Sequence, residues 1–300
     1  MARQEDKSIP CSVMVLTKNE ELDLPGCLAS VSWCDDVHVL DSYSDDRTVD
    51  IARAAGAKVT QRVYDNESTH QNWAMENLGF EYSWVFYLDA DERMTPGLIE
   101  SVREAVTGNS EYVSYRVERR DFMNDRWLKH VQACKYYQRL FMHKHMRWER
   151  LINALNVPNG PVGQITGYLD HFFFSKGLVH WINRHNRYST MEAQQIIDNR
   201  KNKAAFSVRK ALFGRDFHEK RFHQKELYYR LPGRPLIKFI YLYLVKGGFL
   251  DGKEGLTYSS MIYAYEHVIA MKTREIEKKH KAQSESQPEH QQNRADQVAR

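Results

Sequence analysis

Four short segments read as strands in the first third of this 300-residue chain: residues 12–17, 36–41, 58–63 and 84–88, all apolar runs except the more polar third. Each is too short for a helix and is bounded by polar turn residues, so each predicts a buried strand. Between them apolar residues recur at helical spacing: Leu24, Cys27, Leu28 and Val31, then residues 48–55 stopped by Gly56, then residues 69–78. Pro96 opens a further helix that runs to residue 106. Strands alternating with helices of this length form βαβ units, whose strands lie mainly parallel. Such sheets bind ligands beyond the carboxyl ends of their strands.

The residues at those ends are the informative ones. Thr17-Lys18-Asn19-Glu20 follows the first run, Asp41-Ser42-Tyr43-Ser44-Asp45-Asp46 the second, and Asp89-Ala90-Asp91 the fourth. Singly, each has a local explanation: Asp41 and Asp45 suit a turn, and Asp46 or Thr48 suits a helix cap. Together they crowd acidic groups onto one sheet edge, where they repel unless a cation or a donor-rich ligand is present. A metal-bound nucleoside diphosphate meets both needs, because its base and ribose carry N–H and O–H donors and its phosphates complete the cation's oxygen shell. The chain has no Gly-x-Gly-x-x-Gly or Gly-x-x-x-x-Gly-Lys segment, which argues against dinucleotide-binding and P-loop sites.

Charge divides the chain. Residues 1–110 carry a net −11 and residues 111–300 a net +15, summing to the overall +4. The basic half suits an anionic partner, or neutralises the acidic half by packing on it. After residue 110 the pattern changes: 111–118 alternates like an edge strand, 138–142 is a short strand, and 177–210 reads as amphipathic helix. Residues 234–250 are apolar and aromatic with Arg234, Lys238 and Lys246 interspersed, 256–279 is a last long helix, and the polar tail from 283 reads as disordered. No run reaches the length of a membrane-spanning helix, the first ten residues lack a signal-peptide core, and the four cysteines lack metal or redox spacing. A cytoplasmic protein with reduced thiols is expected.

Val13-Met14-Val15-Leu16-Thr17-Lys18-Asn19-Glu20, Leu40-Asp41-Ser42-Tyr43-Ser44-Asp45-Asp46-Arg47-Thr48 and Leu88-Asp89-Ala90-Asp91-Glu92 resemble the motifs of family 2 glycosyltransferases with a GT-A fold. The likeness is to bacterial enzymes that build lipopolysaccharide core or exopolysaccharide. It continues more weakly through Arg139-Leu140-Phe141, Gly160-Pro161-Val162-Gly163, His171, residues 181–189 and residues 248–252. The resemblance implies an α/β fold, an αβα sandwich with a mainly parallel sheet. It divides the chain into a donor-binding half (1–110), an acceptor-side half (111–175), a basic helical extension (176–282) and a disordered tail (283–300). It further implies that Thr17, Asn19, Glu20, Asp41 and Ser42 line the base and ribose pocket, that Asp89 meets ribose or metal, and that Asp91 binds the Mg²⁺ or Mn²⁺ bridging the diphosphate. Gln71 and Asn72 either touch the donor or pack polar groups against the sheet. The implied reaction is inverting transfer of a sugar, from a UDP-linked donor, to a saccharide or lipid-linked acceptor of the cell envelope. A nucleotidyltransferase of related fold needs a Gly-rich basic loop where Thr17-Lys18-Asn19-Glu20 stands; a non-catalytic scaffold at the membrane is the reading from a different class.

Inversion requires a base to take the acceptor's hydroxyl proton. Relatives place a His-Glu pair shortly before the Gly-rich segment, and Asn153-Ala154 occupies that position here. Glu149, Asp121, Asp125 and His145 are the substitutes, or Asn153 positions the acceptor and the base comes from elsewhere. His171, followed by three phenylalanines, reads first as a satisfied buried histidine and second as a diphosphate or acceptor contact; His185 has no zinc-type spacing. Aromatics interleaved with cations at 230–246 fit an interfacial helix on an anionic membrane or a helix closing the domain, and no nucleic-acid module accompanies the charge.

Overall fold

The computed structural model describes residues 9–132, 134–149, 155–201, 206–214 and 217–298, with side chains described outside 217–219, 221–222 and 282–300. The chain forms two compact units, Met1–Gly177 and Leu178–Arg300. In the first, strands β1 (Cys11–Thr17), β2 (Val37–Asp41), β3 (Lys58–Gln61) and β4 (Trp84–Asp89) alternate with helices α1 (Leu24–Ser30), α2 (Thr48–Ala54) and α3 (Glu67–Asn77). There follow β5 (Glu92–Met94), α4 (Pro96–Thr107), β6 (Ser114–Met123), β7 (Arg126–Trp127), β8 (Tyr136–Met142), β9 (Met146–Glu149), β10 (Leu155–Pro158) and β11 (Val162–His171).

Nine strands form one sheet in the order β3-β2-β1-β4-β8-β6-β11-β5, with β7 paired to β6, while β9 and β10 form a separate hairpin. The first four strands are parallel, as their spacing predicts. Two apolar layers cover the sheet: β1 sends Val13 and Val15 toward α1, α2 and α4, and Met14 toward α3 and Trp148. The αβα core is therefore written in the alternation of each strand.

Two expectations change. Residues 111–118 read as an edge strand, but β6 lies inside the sheet between antiparallel β8 and parallel β11. Within 111–118 the buried Ser114 donates to Leu140 O, and beyond it Arg119 and Arg120 pair with Asp121 and Asp170, so the strand's polar side chains are compatible with an interior place. Strand β11 was absent from the sequence reading. Gly167 (φ +90°) lets it pass hard against the backbone of Leu98 at the start of α4, where a Cβ would collide.

The second unit contains α5 (Gly177–Lys201), α6 (Val208–Phe213), α7 (Phe217–Arg230), α8 (Arg234–Ile240), a π-helical turn (Tyr241–Val245), a 3₁₀ turn (Gly248–Asp251) and α9 (Gly252–Val298). The helix expected over 177–210 divides, and Ser207 caps α6 by accepting from the Lys210 amide. The disordered-tail expectation falls on residues whose side chains lie outside the described set. Among the described residues no helix is long and apolar enough to cross a membrane.

His185 lies inside this unit, stacked on Trp181 at 3.7 Å and met edge-on by Tyr265 at 4.9 Å. Its Nδ1–H donates to Trp181 O at 2.9 Å, and burial pushes its imidazole down to about 4. The neutral ring is the folded form. Stability that is complete above the unfolded value near 6.5 is therefore lost as pH falls through about 4. In urea titrations from pH 7 to pH 4, His185→Phe should flatten this part of the pH profile while keeping the ring stack.

Candidate active site

The parallel registers align the strand ends. Thr17 pairs with Asp41 across β1 and β2, and Leu16 pairs with Asp89 across β1 and β4. The three polar clusters thus share one edge. Asp41 is wholly buried: Thr17 Oγ1 donates to it at 3.0 Å, Gln61 Nε2 at 3.0 Å, and Ser44 through both its amide (2.9 Å) and its hydroxyl (2.5 Å). These donors hold its carboxyl below the ordinary range against the effect of burial. Expected as a pocket wall, Asp41 instead staples the turn after β2. Asn19, at φ +57°, accepts from the Asp45 amide at 3.0 Å on its side-chain oxygen and donates its own amide to Ser44 Oγ at 2.8 Å, so the two loops are sewn together. Ser42 is half-buried, its amide donating to Thr17 O.

Two expected donor contacts retain unused acceptors. Among the described residues, Glu20 Oε2 and Gln71 Oε1 are buried side-chain oxygens without a hydrogen-bond partner. Burial lifts the Glu20 carboxyl to about 7, although Lys176 Nζ sits 2.5 Å from its other oxygen. An unpaired buried acceptor costs about 1–3 kcal/mol, and a ligand N–H or O–H would recover it. Asn72, by contrast, is spent on β9, donating to Trp148 O and accepting its amide.

The deepest part of the site is ionic. Arg139 Nη2 lies 2.6 Å from both Asp89 Oδ2 and Glu92 Oε1, and Tyr87 Oη donates to Asp89 Oδ1 at 2.6 Å. Glu92 has no solvent exposure; its second oxygen accepts the Asp89 amide, and Arg119 approaches at 3.5 Å. Strand β11 completes the cluster by register. His171 is opposite Asp121 on β6 and opposite Glu92 on β5. Its Nδ1 is 2.7 Å from Asp121 Oδ1, and its Nε2 is 3.5 Å from Asp91 Oδ2. Burial and Arg119 push the imidazole down, but Asp91 and Asp121 outweigh them and raise it to about 9. His171 is thus a satisfied, partly buried histidine, as its sequence context suggests, and its two partners are Asp91 and Asp121.

Four carboxylates (Asp89, Asp91, Glu92, Asp121) thus face two guanidiniums and one imidazole. With His171 protonated the cluster carries one excess negative charge; a divalent cation that displaced the Nε2 proton would meet two, which its own charge cancels. Asp89 has its outer oxygen on the Arg139 guanidinium, whereas Asp91 faces His171 Nε2 at 3.5 Å. Among the described residues no group of three or more His, Cys, Asp or Glu side chains stands ready to hold a metal. A cation at Asp91 and His171 would therefore take most of its shell from a ligand.

The base candidates separate. Asp121 joins the cluster and is held below the ordinary carboxylate range: burial raises it, and Arg119 and His171 lower it further. Asp125 lies on the tight β6–β7 turn (φ +61°) and borders a cavity of about 390 Å³ with Asp23, Arg93, Phe122, Phe172 and Phe174. Phe122 and Phe172 stack at 5.2 Å, and the Phe172 amide donates to Asp91 O, joining cavity to cluster. Glu149 is on the outward face of β9, opposite buried Met146 and Trp148, and His145 is exposed just before it. Asn153 lies outside the described residues. Arg119 and Arg139, which organise the cluster, escaped sequence reasoning as site residues.

A profile of the family described as Glycosyl transferase family 2 matches residues 12–163. The lipopolysaccharide core biosynthesis glycosyltransferase LpsC of Rhizobium meliloti is 26% identical over 274 residues, covering 85% of this chain and 91% of that protein. The mannosyltransferase PcManGT of Pyrobaculum calidifontis, solved with GDP-Man and Mn²⁺, aligns over 88% of this chain and 86% of its own at 13% identity and a TM-score of 0.51, which establishes the fold. Glucosyl-3-phosphoglycerate synthase of Mycobacterium tuberculosis aligns over 37% of this chain and 43% of that chain, less than half its length, at 23% identity and a TM-score of 0.32.

Proposed function

Since the chain belongs to glycosyltransferase family 2, we propose that it moves a hexosyl group from a UDP-sugar, with inversion, to a saccharide or lipid-linked acceptor of the cell envelope. The observation that carries this reading is the meeting of the β1, β2 and β4 ends with the Asp91–His171–Asp121 chain on one sheet edge. LpsC supports an envelope acceptor by its name, and PcManGT supports a divalent cation with a nucleotide-linked donor. Bound Mg²⁺ or Mn²⁺ would neutralise charge developing on the departing diphosphate. Asp91 and His171 Nε2 would hold it, and Asp89, fixed by Arg139 and Tyr87, accepts a ribose hydroxyl. Glu20 and Gln71 take donor N–H or O–H groups on their unpaired oxygens. The stacked phenylalanines beside Asp125 supply the apolar platform and carboxylates that a sugar acceptor needs.

For the base we favour Asp121, ionised at neutral pH and tied to Asp91 through His171. Asp121→Asn should lower kcat by about 10²-fold, the usual scale of general-base loss, with Glu149→Gln within twofold of the parent. The reverse ranking would assign the base to Glu149.

The deciding measurement incubates purified protein with a panel of nucleotide sugars and Mn²⁺, reading nucleoside diphosphate release and thermal stabilisation by each nucleotide. UDP-sugars should be hydrolysed or transferred and UDP should stabilise. Binding to none of the nucleotides sinks the reading; stabilisation with no turnover on any acceptor supports the scaffold instead.

A further inference from the structure

The segment from α8 through the 3₁₀ turn has a surface unlike the rest of the chain. Leu236, Ile237, Ile240, Tyr241, Leu244, Val245, Phe249 and Leu250 are all large, apolar and 42–71% exposed, within fifteen residues. Isolated exposed leucines are ordinary, but a continuous array is not. The backbone displays it actively. After α8 the helix widens into a π turn, where the Lys246 amide reaches Tyr241 O at 2.8 Å. Gly247 at φ +77° then reverses the chain, and Gly248 packs against Gly255 at a distance no side chain at 255 would allow. Phe249 and Leu250 are thereby held outward on a fixed turn.

Charge indicates the occupant. Residues 227–250 contain Arg230, Arg234, Lys238 and Lys246 and no acidic residue. Arg234 is buried against Glu266 and Tyr229, while exposed Arg230 and half-buried Lys238 and Lys246 accompany the apolar array. The surface that such a segment complements is apolar and anionic at once, since residues 227–250 carry no carboxylates of their own. A leaflet of anionic phospholipid meets both parts, with acyl chains for the leucines and headgroup phosphates for the lysines. Among the described residues no helix is long and apolar enough to cross a bilayer, and a short amphipathic element of this kind lies in the plane of the interface.

We propose that residues 234–250 form an interfacial insertion element that seats the protein on an anionic phospholipid surface. The inference goes beyond the transfer reaction and is tested without donor or turnover.

The full chain is floated with vesicles of phosphatidylcholine alone and of phosphatidylcholine with 30% phosphatidylglycerol (about 30% anionic lipid, the regime in which surface charge matters). It should partition to the anionic vesicles. Lys238→Ala with Lys246→Ala should weaken partition roughly 25-fold, about fivefold per cation removed. Val245→Ser with Phe249→Ser and Leu250→Ser should abolish it, with circular dichroism and thermal midpoint confirming the fold. No partition by the parent, or equal partition by the serine variant, overturns the proposal. So does a parent dimer in light scattering that becomes monomeric in the serine variant without vesicle binding, which would assign the patch to a second copy of this chain.

Discussion

Asp91→Asn should reduce turnover by about 10³-fold or more, on the scale of removing a principal electrostatic group at a reacting centre. Asp89 pairs with Arg139 and Tyr87, Glu92 with Arg139 and its own loop, Asp121 with Arg119, and Asp91, the proposed cation ligand, faces His171. The amide keeps the shape and removes the charge. UDP should then no longer raise the thermal midpoint in the presence of Mn²⁺, while circular dichroism remains that of the parent. The comparison variant is Glu21→Gln, on the exposed loop after β1, whose turnover should stay within twofold. Unchanged turnover and unchanged Mn²⁺-dependent stabilisation in Asp91→Asn would remove the cation from this site.

Arg139→Met should cost about 3–5 kcal/mol in urea unfolding at pH 7, the range for breaking a buried ion pair from one side. Methionine fills the volume over Tyr87, where the guanidinium carbon now lies 4.3 Å from the ring centre. It leaves Glu92, which has no solvent exposure, next to Asp89 without its nearest countercharge. Burial already raises the Glu92 carboxyl, and without Arg139 it should bind a proton in the folded state. A folded state that binds more protons gains stability as pH falls, so the variant should recover part of its loss between pH 7 and pH 5. Glu92→Gln added to Arg139→Met should recover a comparable part at pH 7, with a double-mutant coupling above about 1 kcal/mol. A loss under about 1 kcal/mol in Arg139→Met would mean that the cluster is hydrated and the pairs are worth no more than surface ones.

The parts of the site legible in the sequence are those the chain delivers locally. β1, β2 and β4 announce themselves as apolar runs, and their polar ends need no tertiary information to be noticed. β11 has no such signature: Val162–His171 contains two glycines, exposes Gln164, Thr166 and Tyr168, and shifts register between Gln164 and Tyr168. Its place is fixed by pairing with β6 and β5 rather than by its own periodicity. The three adjacent phenylalanines suggest the partial burial that His171 has, but nothing local reveals that its partners are Asp91 and Asp121. Arg119 and Arg139 were missed for a related reason. Arginine in a strand reads as an exposed residue, and apart from Asp121, two residues from Arg119, the acidic partners lie 27 to 50 residues away. Asp41 shows the opposite effect: the ligand reading and the turn reading of one aspartate are indistinguishable in sequence, and the turn's own donors claim both oxygens.

The late arrival of β11 has a consequence for biosynthesis. Glu92 leaves the ribosome 47 residues ahead of Arg139, and Asp91 80 residues ahead of His171. At ordinary elongation rates of about 5–20 residues per second, the nascent chain carries the unpartnered acids for roughly 4–16 s before the strand that carries His171 is made. During that interval the parallel half has its apolar layers but not its countercharges, and uncompensated carboxylates oppose burial. Closure of the ionic cluster would then come late in folding, once the strand that carries His171 is in place.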